Sequence, residues 1–127
     1  MPPIFLGLDE VLEIHRGQVE RYGGATGVRD MNLLQSALAM PQAGIGNQFV
    51  HADIFEMAAA YLYHIVRNHP FIDGNKRVAA MSAFVFLKVN GHTLEASEQA
   101  FERPVRVAAE GVADKAVIAS FFREHTR

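Results

Sequence analysis

The chain has 127 residues, no cysteine and a formal net charge of −2, and half of its residues are hydrophobic. That length suits a single domain over residues 1–127, and that apolar content is enough for a packed core and too much for disorder. The absence of cysteine excludes disulfides and thiolate metal sites, and the small net charge supplies no field that would draw the chain to nucleic acid or to a membrane.

The opening stretch MPPIFLGLDE has no basic region and only a short apolar run, so it is a poor signal peptide. No apolar run approaches the ~20 residues a bilayer span needs. A cytoplasmic protein that touches neither membrane nor nucleic acid is expected. Asp9 reads as an N-cap. Val11, Leu12, Ile14, Val19 and Tyr22 follow at helical spacing until Gly23-Gly24 stops the helix. The loop GGATGV leads to Asp30, a second cap, and the short helix MNLLQSALAM ends before Pro41. Residues 41–51, PQAGIGNQFVH, mix Pro, Gly and Asn and read as a surface loop.

Asp53 opens a helix through IFEMAAAYLYHIVRN, which is apolar almost all round and therefore buried on most sides. Pro70 disfavours helical geometry at His69 and ends it. A second apolar helix runs from about Asn75 to Asn90, with Gly91 as its stop. Ser97 to Glu110 reads as helical, interrupted or restarted at Pro104, with Gly111 closing it. Asp114 caps a last helix, KAVIASFFREH. Strands are nearly absent. The expected fold is all-α, with its two most buried helices bracketing HPFIDGNKR, residues 69–77. A rigid support of this kind is where a functional site gains precision.

The bracketed stretch is polar where its flanks are not. Gly74, Asn75, Lys76 and Arg77 fall in the first turn of a helix, where backbone N–H groups lack intrahelical partners and the dipole adds positive charge. Such a terminus binds anions. Gly74 allows close approach, Asn75 offers an amide, and Lys76 and Arg77 add full charge. Cations there oppose the dipole by about 0.3–1 kcal/mol each when exposed, which makes sense if an anion such as phosphate sits between them. Asp73 reads equally as an N-cap or as a handle for Mg²⁺, which takes one or two protein oxygens plus substrate phosphates. His69 is the base candidate, since neutral imidazole accepts a proton near pH 7; the plainer reading is a C-cap histidine.

His64 reads as a satisfied core residue, and His15, His51, His92 and His125 have no catalytic neighbours in sequence. Zinc held by His64, His69 and Asp73 is a lesser alternative whose spacing matches no standard pattern. Phe71 anchors the loop, and Tyr61 and Tyr63 read as packing. A base, a metal carboxylate and a phosphate cradle within nine residues suit transfer of part of a nucleoside triphosphate to a hydroxyl.

HPFIDGNKR resembles the signature of the Fic/Doc family, and the chain looks like its Doc (death-on-curing) toxin branch. RYGGATGVRD, LLQSAL and FLKVNG are similar as well, so the resemblance covers essentially the full length. It implies a compact Fic/Doc-type helical bundle with a central pair of buried helices flanking the motif loop. By the same resemblance His69 is the base, Asp73 the Mg²⁺ carboxylate, Gly74 and Asn75 part of the anion hole, and Arg77 the partner of nucleotide phosphates. Many family members transfer AMP, with glycine where this chain has Lys76 and a further arginine where it has Ala80. The departures point away from AMP transfer. Lys76 is what the Doc branch carries, and it joins His69 as a catalytic candidate. That branch resembles kinases that use ATP on a threonine of elongation factor Tu, halt translation, and are neutralised by a cognate antitoxin. The family's self-inhibitory Ser/Thr-x-x-x-Glu-Gly/Asn motif is not evident. Nucleotidyl transfer and a catalytically silent binding module remain the alternatives.

Overall fold

The computed structural model describes residues 2–127 and is built from six α-helices: α1 (Leu8–Tyr22), α2 (Met31–Ala39), α3 (Ile54–Asn68), α4 (Asn75–Val89), α5 (Glu98–Ala109) and α6 (Lys115–His125). α3 is the central helix, packed against α4, α6, α2 and α5, with α1 against α4. Its residues Met57–Leu62, Ile65 and Val66 are buried, as the nearly continuous apolar sequence requires. The all-α expectation and the central pair of helices around the motif both hold. The caps Asp30, Asp53, Ser97 and Asp114 each accept a backbone N–H of the first turn of their helix.

Three elements differ from the sequence reading. α1 begins at Leu8 with Gly7 as its N-cap, so Asp9 lies inside the first turn. The carboxylate of Glu10 accepts the Gly7 N–H at 3.4 Å, which satisfies the helix start without Asp9. The loop after α2 holds a 3₁₀ turn, Met40–Gln42, and a two-stranded hairpin, β1 (Gly44–Ile45) with antiparallel β2 (Gln48–Phe49). Two residues, Gly46-Asn47, turn the hairpin, a pairing that suits a tight turn. Periodicity could not show strands of only two residues. α5 runs unbroken through Pro104, which is itself buried along with Val105 and Ala108. Packing of that apolar face holds the helix despite one missing backbone donor.

Two side chains tie the N-terminal segment to the bundle. Buried Tyr61 accepts the Leu6 N–H at 2.8 Å and donates to the Leu6 carbonyl at 3.2 Å; burial pushes its hydroxyl up to about 12. Asn90 does the same for Ile4, accepting its N–H at 2.8 Å and donating to its carbonyl at 2.9 Å. Tyr61 is thus core, as its sequence context implied.

Candidate active site

α3 ends and α4 begins at the polar stretch, so the first six residues of the motif, 69–74, form a corner between the two central helices and the last three open α4. His69 is the C-cap of α3, in the left-handed region at φ 49°, ψ 54°, a conformation rare for a residue with a side chain. Pro70 denies it the αR region, and the chain must turn there. Strain of this kind is held only where the surroundings over-determine it. Here they do: Arg29 Nε donates to the His69 carbonyl at 2.7 Å and Arg29 Nη2 to the Asn68 carbonyl at 3.0 Å. The Pro70 carbonyl accepts the N–H groups of both Arg29 and Asp30, and Ile72 N–H donates to the Gly27 carbonyl. Val28 bridges Phe71 in a single antiparallel pair. The backbone of His69 is fully committed while its side chain is exposed and, among the described residues, makes no hydrogen bond.

Below the corner, Phe71 is fully buried, as its anchoring role required. Asn75 is buried too, and its amide clamps the turn: Oδ1 accepts the Phe71 N–H at 2.9 Å and Nδ2 donates to the Phe71 carbonyl at 3.0 Å. Its side chain is therefore spent inside the loop, which corrects the expectation of a free amide facing an anion. What Asn75 leaves for a ligand is its backbone N–H. The first bond within α4 runs from Val78 N–H to the Gly74 carbonyl, so the N–H groups of Asn75, Lys76 and Arg77 precede the helical ladder.

Asp73 is not the N-cap of α4. Gly74 holds that position at φ 78°, ψ 18°, with no side-chain cap. A cap must reach an N–H two or three residues on, and Asp73 sits one residue too early. It is exposed, with Oδ1 accepting the Gly74 N–H at 2.9 Å and Oδ2 accepting the Ala25 N–H at 3.3 Å. A Cβ on Gly24 would stand 2.7 Å from Asp73 Oδ2, and Gly24 has φ 111°; the glycine lets the loop after α1 close over the carboxylate. Lys76 and Arg77 are both exposed, and among the described residues neither forms an ion pair; Arg77 instead lies 4.9 Å over the ring of Tyr22. A groove of about 580 Å³ between α1, α4 and α5 starts at these two cations and continues past Ala80, Met81, Phe84 and Phe101.

Among the described residues, no three histidines or carboxylates converge to hold a metal, which removes the zinc alternative. Mg²⁺ fits differently, because it needs one or two carboxylates and completes its shell with phosphates and water. Asp73, exposed and beside the cradle, suits a nucleotide-borne ion of that kind. His64 is not with His69 at all. It is half-buried where α6 starts, and Lys115 Nζ donates to its Nε2 at 3.1 Å. Burial first, and Lys115 second, push its pKa down to about 4. It is satisfied, though by a partner at the edge of the core rather than within it.

Sequence reasoning missed two residues here. Arg29 fixes the corner's backbone from 40 residues away. His15 lies buried on α1, its ring stacked on Phe71 at 4.1 Å and 8°, with Nε2 donating to the Asp73 carbonyl at 2.9 Å. The signal was present: Val11, His15 and Gln18 are the buried residues of α1, at spacing i, i+4, i+7.

A family model described as the Fic/DOC family matches residues 5–87, which take in the corner, the loop over it and the helices on both sides. The chain belongs to the Fic/DOC family. Among its curated relatives, the Toxin Doc of Mycolicibacterium smegmatis is 43% identical over 75 residues, 59% of this chain and 58% of that protein. The Protein kinase doc of Escherichia phage P1 is 36% identical over 83 residues, 65% of each chain. The match thus spans less than two thirds of either relative's own length. In this Fic/DOC chain Asn75 holds the corner's backbone, the side chains of His69, Lys76 and Arg77 are open to solvent, and Asp73 does both.

Proposed function

We propose that this protein is a Doc-type toxin that transfers the γ-phosphate of ATP to a Ser/Thr hydroxyl of a target protein, with elongation factor Tu the target and translation arrest the outcome. The observation that carries this reading is an exposed His69 imidazole and two exposed cations, Lys76 and Arg77, none of them in a hydrogen bond or ion pair among the described residues, at an open helix N-terminus. The relative named a protein kinase supports the reaction class.

In this mechanism the phosphates lie on the N–H groups at the start of α4, with Arg77 and Lys76 balancing their charge. Asp73 is the residue that would hold Mg²⁺, which would supply charge neutralisation on the phosphate oxygens. His69 Nδ1 or Nε2 takes the proton of the acceptor hydroxyl as its oxygen attacks the γ-phosphorus, and ADP leaves. Lys76 selects the phosphate. It adds bulk and a point charge where a glycine would let the α- and β-phosphates pass, so the γ-phosphorus faces His69. The test is ATP labelled separately at the α and γ positions. Wild type should pass only the γ label to protein, and Lys76→Gly should lose that transfer. Ala80 lines the same groove as Lys76 and Arg77, so Lys76→Gly/Ala80→Arg is the variant that should gain weak transfer of the α label. Wild type that incorporates only the α label sinks the kinase reading in favour of nucleotidyl transfer; incorporation of neither label favours a silent binding module.

The apolar groove beside these cations is where an ordered segment of a small cognate antitoxin would seat, possessing both shape and proximity to block the nucleotide. Met81→Glu should free the toxin from that inhibition while sparing transfer; unchanged inhibition would place the antitoxin elsewhere.

A further inference from the structure

We infer that His15 is a positioning residue that sets the direction of the Asp73–Gly74 peptide, and through it the polarity of the phosphate cradle. The inference rests on the proposed use of α4's N-terminus for phosphate. A carbonyl only accepts, so the 2.9 Å contact from His15 Nε2 to the Asp73 oxygen makes Nε2 the protonated nitrogen. His15 is 5% exposed and its ring lies flat on fully buried Phe71, so the donor comes from inside and cannot swing away. It also sits directly beneath the N-cap: a Cβ on Gly74 would meet His15 Cδ2 and Nε2 at 3.9 Å.

The consequence follows from amide geometry. A trans peptide is planar, with its C=O and N–H on opposite sides, and no peptide bond among the described residues is cis. With the Asp73 carbonyl held inward by His15, the Gly74 N–H must point outward. It does, and the exposed Asp73 Oδ1 accepts it at 2.9 Å, so an anionic oxygen already lies where this N–H points. The reversed peptide would turn a carbonyl oxygen, the negative end of the dipole, toward the same place. Gly74, lacking a Cβ, tolerates either orientation, so the hydrogen bonds of this peptide decide it. His15 holds the carbonyl from the buried side, and Asp73 Oδ1 takes the N–H on the exposed side. Its hydrogen bond is to the backbone carbonyl of Asp73 and touches neither the Asp73 carboxylate nor His69.

The experiment separates the donor from the ring. His15→Phe keeps the stack on Phe71 and removes the donor; His15→Gln places an amide N–H where Nε2 stood. Binding of Mg²⁺-ATP by calorimetry should weaken about tenfold in His15→Phe, with the melting temperature within a few degrees of wild type. His15→Gln should return to within about threefold of wild type. A crystal structure of His15→Phe should show the Asp73 carbonyl turned outward. Wild-type affinity in His15→Phe, an unmoved carbonyl, or a loss that Gln does not restore would each overturn the inference. If His15→Phe does not fold, His15→Met, similar in volume and without a donor, takes its place against Gln. Wild type that binds Mg²⁺-ATP but transfers no label defeats the kinase reading and leaves this one standing; wild type that does not bind it defeats the nucleotide reading, and the carbonyl's direction alone then decides.

Discussion

Two corners of this molecule bring histidine and a cation together, and they use them in opposite ways. At the α3–α4 corner, His69, Lys76 and Arg77 are exposed, and among the described residues their side chains form no ion pair. Everything that holds them is backbone: carbonyls tied to Arg29, a turn clamped by Asn75, a peptide pinned by His15. At the start of α6, the ammonium of Lys115 is spent on the lone pair of His64, and His51 is buried beside them with its pKa lowered, chiefly by burial and then by Lys115. The first corner orders its scaffold and leaves its chemistry open to solvent; the second pairs His64 with Lys115 and encloses His51, whose Nε2 is buried without a partner among the described residues. Residue type does not distinguish them. What remains exposed to solvent does.

The sharpest way to break this comparison is to exchange the two histidines' fates. His69→Ala should cut label transfer by ~10²–10⁴, the usual cost of a positioned base, with no loss of fold because the side chain is exposed. His64→Ala should leave transfer within a fewfold. Equal toxicity of His69→Ala and wild type at equal expression would place the base elsewhere.

Asp73→Ala is the next largest. Mg²⁺-dependent nucleotide binding should fall by about tenfold or more, while stability stays within about 0.5 kcal/mol, since the exposed carboxylate caps no helix. Melts with and without Mg²⁺-ATP separate the two effects; a destabilised variant with intact metal dependence would restore a purely structural role.

Asn75→Ala should destabilise by roughly 1–3 kcal/mol, because the buried Phe71 N–H loses its partner. Denaturant unfolding measures it. A variant as stable as wild type but unable to bind nucleotide would mean the amide serves the ligand after all.

The smallest effect belongs to the closed corner. The folded-state pKa of His64, about 4, lies below its ordinary value near 6.5, so the unfolded chain takes up the proton first. Stability from this group is therefore fully present above pH 6.5 and declines as pH falls toward 4. Melting temperatures of wild type minus those of His64→Gln, followed from pH 7 to 4, should narrow on acidification. A constant difference would show that His64 does not titrate between those limits.

The order of the helices, four of their six N-caps and the central place of α3 and α4 were legible in the sequence, because apolar periodicity and local capping act over a few residues. So was the corner's composition, since HPFIDGNKR is polar between two apolar helices. The assignment of roles within it was not. Asn75 turned inward and Asp73 lost its cap because backbone geometry at Gly74 set which groups each could reach. Pro104 stayed helical because tertiary packing outweighed one missing donor. Arg29 and His15 came to the corner from 40 and 58 residues away in sequence. Only the packed structure decides such contacts, since no local pattern encodes which distant donor will meet a given carbonyl.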